Sequence, residues 1–110
     1  MSRRIRKQRA ARADLLEHFV YTAEKYSVEL AERFFAATEE AFDRLLDHPE
    51  LGVRRHYRNA RLSDLRMWPI PGFSKYLIFY LPTDDGIQIV RILHGSRNVA
   101  ALFSDGSEEE

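Results

Sequence analysis

The sequence predicts an α+β protein: a helical hairpin laid across a small, mainly antiparallel sheet. Three observations carry this. Apolar residues recur at helical spacing between residues 10 and 46. The two helical segments are separated by so short a break that they must pack as antiparallel neighbours. Beyond Gly52 the pattern changes to aromatic and β-branched runs divided by Pro-Gly and Asp-Gly turns.

Residues 10–26 read as the first helix. Leu16, Val20 and Ala23 share a face, flanked by Leu15 and Phe19. Asp14 and Glu17 fall in its opening turns, where the helix dipole favours acids. Tyr26-Ser27 interrupts the pattern, and Ser27 suits the cap of a second helix because its hydroxyl can take a free backbone N–H. That helix carries Ala31, Phe34/Phe35, Thr38, Ala41/Phe42 and Leu45/Leu46 at helical spacing for about five turns. It ends near Asp47-His48, since Pro49 disfavours helical backbone in the residue before it. Gly52 then supplies a turn.

Val53 to Arg61 holds Arg54, Arg55, His56, Arg58 and Arg61 with little to pack, and reads as a basic, exposed loop. Residues 64–70 form a strand with Arg66, Trp68 and Ile70 on one face. Pro69 has no N–H for a ladder and marks it as an edge or imperfect strand. Pro71-Gly72 turns the chain into the clearest strand, residues 73–81, rich in aromatic and branched side chains. Asp84-Asp85-Gly86 closes a second hairpin loop. Residues 87–93 are almost continuously apolar, as an inner strand covered on both faces would be. Residues 97–103 return Val99, Leu102 and Phe103 to the core as a short helix. Residues 3–8, with Ile5 their one apolar side chain, read from pattern alone as a basic arm.

A chain of 110 residues is one domain, here residues 1–103, followed by an acidic flexible tail at 104–110. No apolar run approaches the ~18 residues of a membrane helix. Met1-Ser2-Arg3-Arg4 leads into charge instead of the apolar stretch of a secretion signal, so the expectation is a soluble, cytoplasmic protein with no membrane partner. The absence of cysteine excludes disulfides, thiol catalysis and cysteine-bound zinc. Net charge is zero, but in blocks: residues 1–12 carry six bases and no acid, 13–50 a net of minus seven, 51–75 a net of plus five, and 104–110 four acids. Such segregation either builds a basic face able to attract an acidic partner or a phosphate backbone, or it cancels in space.

Little in the chain has the spacing of a reactive site. There is no phosphate-binding glycine loop and no metal-binding helix motif. His18, His48, His56 and His94 show no ligand spacing, so neither a metal nor a cofactor is expected. One cluster stands out. Arg91 lies inside an apolar strand, and His94 follows at its end; Arg66 is placed to lie across the sheet. Arg and His together could hold and cleave a phosphate, the Arg stabilising charge and the His moving a proton. Alternatively Arg91 pairs with an acid of the helical hairpin and His94 bonds a loop, both structural.

The order and spacing of several stretches resemble the RelE/ParE superfamily of toxins from type II toxin–antitoxin modules, and the ParE branch in particular. The matching stretches are Ala10-Ala11-Arg12-Ala13-Asp14-Leu15, Ala31-Glu32-Arg33-Phe34 and Leu45-Leu46-Asp47-His48-Pro49-Glu50-Leu51-Gly52 in the helices. Tyr76-Leu77-Ile78-Phe79-Tyr80 and Ile89-Val90-Arg91-Ile92-Leu93-His94-Gly95-Ser96-Arg97-Asn98 complete them in the strands. The resemblance runs from about residue 3 to residue 103. It implies that residues 3–8 are a first strand, giving the order β-α-α-β-β-β with a short C-terminal helix.

The resemblance further implies a toxin that inhibits DNA gyrase, stabilises plasmids, is neutralised by a ParD-like antitoxin in a hetero-oligomer, and meets operator DNA only through that antitoxin. The alternatives are a RelE-like ribosome-dependent mRNA endonuclease, for which Arg66, Arg91 and His94 would be the catalytic residues, or a non-toxic complex partner. Residues 99–103 hold no Tyr, His or Lys to serve such a cleavage. The expected assignment is therefore a docking toxin with no catalytic residue and Arg91 and His94 structural. Phe19, Tyr21, Phe34, Phe35 and Phe42 offer more aromatic surface than a small sheet should bury, and are the antitoxin-binding candidates. Arg54, Arg55, His56, Tyr57, Arg58 and Arg61 are the target-binding candidates.

Overall fold

A computed structural model describes residues 3–57, 59–97 and 99–104. Arg58, Asn98 and residues 105–110 of the acidic tail lie outside the described residues. The elements are β1 (Arg4–Lys7), α1 (Arg9–Lys25), α2 (Val28–Asp47), β2 (Val53–Arg54), a single 3-10 turn (Ala60–Leu62), β3 (Arg66–Ile70), β4 (Phe73–Thr83), β5 (Gly86–His94) and α3 (Val99–Ser104). The strands form one sheet in the order β1-β5-β4-β3-β2. Only β1 runs parallel to its neighbour; the other pairings are antiparallel.

Helix α2 follows its sequence pattern. Ser27 caps it, accepting a hydrogen bond from Leu30 N at 3.0 Å. Ala31, Phe34, Thr38, Ala41, Phe42 and Leu45 are buried. Thr38 tolerates this because its hydroxyl donates to the Phe34 carbonyl one turn back at 2.8 Å. Helix α1 does not follow its pattern. Its buried side chains are Ala11, Asp14, Leu15 and Thr22, while Leu16 is 64 % exposed and Val20 is exposed as well. The helix is rotated from the expected face. Asp14, moreover, lies beyond the first turn and is buried, so the dipole is not what holds it.

Strand β5 is the inner strand expected of its composition. The register passes from Tyr80↔Ile89 to Phe79↔Arg91, leaving Val90 with no residue opposite. This bulge shifts the alternation of faces. Ile87, Ile89 and Ile92 consequently all join the core beneath the helices, and Val90 and Leu93 join a second core on the other face. Parallel pairing of β1 depends on Gly86, which faces Arg4. Its φ is +155°, and a Cβ there would lie 1.9 Å from the Arg4 carbonyl oxygen, so only glycine fits.

The stretch after α2 is less loop-like than expected. Val53–Arg54 forms β2 and pairs antiparallel with Met67 and Arg66. Since β2 reaches no further, Pro69 lies where β3 is itself the sheet edge, which is where a residue without an N–H is tolerated. Tyr57 and Leu62 pack on the second core, beside Leu65, Phe79 and Phe103. The turn between α2 and β2 is held from below by two side chains. The Tyr80 hydroxyl donates to Pro49 O at 2.7 Å and accepts from Gly52 N at 2.8 Å. Arg66 donates to the carbonyls of Glu50 at 3.1 Å and Gly52 at 2.7 Å. Burial pushes the Tyr80 phenol above its ordinary value, against the lowering effect of the Gly52 bond.

Tyr80→Phe removes one hydroxyl that serves two backbone groups, the Gly52 N–H buried and the Pro49 carbonyl partly so. It should lower unfolding stability by about 1–3 kcal/mol. Urea titration checks this; an unchanged midpoint would show that the turn is held by Arg66 alone.

Candidate partner-binding site

The rotation of α1 follows from polar chemistry. Where β1 ends, Gln8 N donates to Ile89 O at 3.0 Å, and the edge of β5 continues beyond it without a strand partner. Side chains of α1 replace that partner. Asp14 accepts from Ile92 N at 2.9 Å, and His18 Nε2 bonds Ile92 O at 2.7 Å. The same Asp14 carboxylate takes Arg91 in a two-pronged pair, Nε at 2.7 Å and one terminal nitrogen at 2.9 Å. The hydrogen bond to Asp14 pushes the Arg91 guanidinium above its ordinary value, outweighing its partial burial. It is charged at any pH the fold would meet. Residues 14 and 18 lie one helical turn apart, so both reach the strand from one face.

The opposite face of α1 is thereby left open. Leu16 and Phe19 of α1, with Phe35 of α2, line an apolar groove of about 410 Å³, with Leu15 beneath. Phe19 and Phe35 meet edge-to-face at 6.4 Å. Lys7 and Arg12 stand on its lining and Glu39 completes it. Lys7 lies over the Phe42 ring at 5.5 Å, and Arg12 donates to the Lys7 carbonyl at 3.4 Å. Among the antitoxin-binding candidates, Phe34 and Phe42 are corrected: each is 1 % exposed and belongs to the core. Phe19, Tyr21 and Phe35 do reach the surface, Phe19 only in part. Leu16, Lys7, Arg12 and Glu39 were missed. Leu16, Phe19, Val20 and Ala23 make a complete i, i+3, i+4, i+7 stripe, of which Phe19 alone is among the sequence-based candidates.

The target-binding candidates divide. Arg54 donates to Ser63 O at 3.3 Å and Asp64 at 2.9 Å. Arg55, His56 and Arg61 present exposed side chains. Tyr57 turns inward, tilted against Phe103 at 5.1 Å. Arg58 lies outside the described residues. Arg66, Arg91 and His94 do not assemble. Arg66 holds the turn at Glu50 and Gly52, two strands from Arg91, which is on Asp14. His94 is tied by its Nδ1 to Ser96, with the backbone N–H at 3.0 Å and Oγ at 2.8 Å. Among the described residues no group of His, Asp and Glu has a metal-binding arrangement, and no helix is long and apolar enough to cross a membrane.

A family model described as the ParE toxin of the type II toxin–antitoxin system parDE matches residues 5–99. The chain belongs to the ParE toxin family. A solved structure described as the chromosomal ParDE TA system from P. aeruginosa is similar in fold, with a TM-score of 0.68 at 18 % identity, over 84 % of this chain and 95 % of that one. A comparison with curated proteins finds no match. The two-layer arrangement and the five-stranded mixed sheet of this ParE chain are what it shares in fold with that structure.

Arg91→Ala leaves the Asp14 carboxylate unpaired where its side chain is only 6 % exposed. Arg91 itself keeps some water contact, so the expected loss is roughly 2–4 kcal/mol, at or below that of a fully buried pair. Thermal or urea unfolding checks it. A loss under 0.5 kcal/mol, the scale of an ordinary surface substitution, would mean that the pair does not secure α1.

Proposed function

We propose that this ParE chain is a docking toxin: free, it inhibits DNA gyrase; bound, it is neutralised by a ParD-like antitoxin whose acidic, amphipathic segment fills the α1–α2 groove and follows the open edge of β1. The observation that carries the reading is the groove itself, an apolar floor of Leu16, Phe19 and Phe35 flanked by the cations Lys7 and Arg12. A soluble protein leaves such a surface open for a partner. A flexible segment that folds on it would bury ~1,000–3,000 Å², and acidic side chains beside its apolar ones would meet Lys7 and Arg12. The complex is a cytoplasmic hetero-oligomer, it touches operator DNA through the antitoxin, and such modules stabilise plasmids.

Docking is favoured over chemistry because the residues an mRNA endonuclease would need are held apart from one another. Arg91 is held by Asp14, Arg66 by the α2–β2 turn and His94 by Ser96. Arg91 and His94 are thus assigned structural roles. The exposed cations Arg55 and Arg61, with His56 between them in the chain, form the surface assigned to gyrase, since docking energy concentrates in a few such anchors.

Two measurements test this. Co-expression with the antitoxin encoded beside the gene should yield a stable complex with the parent chain. Leu16→Glu/Phe35→Glu should fold normally, since both side chains are exposed, and lose capture by about a hundredfold or more, as hot-spot losses of ~3 kcal/mol would give. The purified chain should inhibit gyrase supercoiling without cutting ribosome-bound mRNA, and His94→Ala should retain this inhibition. Arg55→Glu/Arg61→Glu should weaken inhibition and its dependence on salt while leaving stability within about 1 kcal/mol. Cleaved mRNA with normal supercoiling would establish the endonuclease reading; a chain inert in both assays would be a non-toxic partner.

A further inference from the structure

A second cleft, of about 750 Å³, lies between the end of α1, the start of α2, the β3–β4 turn and the end of β5. It shares no residue with the apolar groove. Its size falls in the range of roughly 300–1,000 Å³ typical of small-ligand sites. Its floor is a set of interlocked rings. Tyr76 meets His18 at 4.8 Å, Phe34 at 5.0 Å and His94 at 5.0 Å, each near edge-on. Tyr21 and Tyr26 line it from α1 and the turn after it, 48 % and 64 % exposed. Lys75 adds an exposed ammonium, and no Asp or Glu among the described residues lines the cleft.

The charge of the cleft is one-sided, and its hydroxyls can donate as well as accept. Ser96 N–H donates to His94 Nδ1, which must then keep its lone pair, so the imidazole proton sits on Nε2 and is free to donate. His18 carries its proton on the nitrogen that faces Ile92 O and is locked in orientation by that bond. Burial pushes the Tyr76 phenol above its ordinary value, so at neutral pH it is a hydroxyl and not a phenolate. The lining thus combines flat apolar faces with donors and a cation, and lacks a compensating anion. That pairing suits a planar ring joined to an oxyanion.

We propose that this cleft binds a nucleotide, its base against the tyrosine rings and its phosphate on Lys75 and His94. The shared chemistry fits a free mononucleotide or the end of a single strand. The site does not rest on capture of an antitoxin or on toxicity, so its test stands apart from theirs.

The probe is 5′-AMP added to the full chain, read by the ring NMR signals of His18 and His94. Both should shift saturably, and adenosine or inorganic phosphate alone should bind at least about tenfold more weakly. Lys75→Ala and Tyr26→Ala, both at exposed positions, should each weaken binding about fivefold or more without moving the free-protein signals of the core. A short oligonucleotide with a terminal phosphate binding about tenfold tighter than AMP assigns the strand end; equal affinity assigns the free nucleotide. Histidine signals unmoved at about 10 mM AMP, far above useful affinity, would overturn the proposal. So would phosphate binding as tightly as AMP, or AMP binding unaltered in both variants.

Discussion

The Asp14 carboxylate is the interaction on which the rest of the structure depends. It takes three donors at once, two from Arg91 and one from Ile92 N. Removing a carboxylate from water is costly, and it is tolerable here because each lone pair that matters has a partner. The geometry has a consequence for the whole helix. With Asp14 and His18 on the strand edge, Ala11, Leu15 and Thr22 must face inward with them. Leu16, Phe19 and Val20 then have nowhere to go but outward. The polar pair thus sets the rotation of α1, and the rotation creates the apolar groove. Fold and groove share one cause.

The sheet explains why the latch is needed at all. Strand β1 is four residues long and covers β5 only from Gly86 to Ile89. Gly86 admits β1 at one end, and at the other the chain turns into α1. The remaining edge of β5 would expose unpaired backbone groups, which are costly when buried and adhesive when exposed. Side chains of the following helix satisfy them instead. The bulge at Val90 falls in this stretch, just past the last β1 pairing, and re-aims the strand so that Ile92 faces the helices.

How much of this was legible depended on whether apolar periodicity was the deciding force. In α2 it was, and cap, end and buried face can all be read from Ser27, His48-Pro49 and the Phe34–Phe42 stripe. In β5 it was too. In α1 it was not: the most regular apolar stripe, Leu16 to Ala23, faces outward, because the inward face is held by a carboxylate and an imidazole. The Arg inside an apolar strand signals a pair with an acid of the hairpin, as one of the two readings of Arg91 has it, yet nothing in one sequence says that the acid is Asp14 or that His18 joins it. Phe34 and Phe42 show the converse error. The sheet's helix face is wide enough to bury them, which a count of aromatic residues cannot reveal. Val53–Arg54 was invisible as a strand because two residues carry no period, and Tyr57 was read with its basic neighbours although its ring packs inward on Phe103.

The charge blocks of the chain resolve in the same way. Arg3 pairs with Asp47 at 2.9 Å, Arg6 with Asp85 at 3.1 Å and Arg54 with Asp64 at 2.9 Å. These exposed pairs add little stability each, but they spend cations that a basic catalytic face would need. The Arg6 bond holds the Asp85 carboxyl below its ordinary range. Its small contribution is therefore present at neutral pH and fades as the solution is acidified through that lowered value. Several arginines of this chain are architectural: Arg66 grips a turn, Arg91 a helix, Arg6 a hairpin loop. The guanidinium groups of Arg66, Arg91 and Arg6 are committed to holding the turn, the helix and the hairpin loop, and they maintain the shape of the surfaces around them.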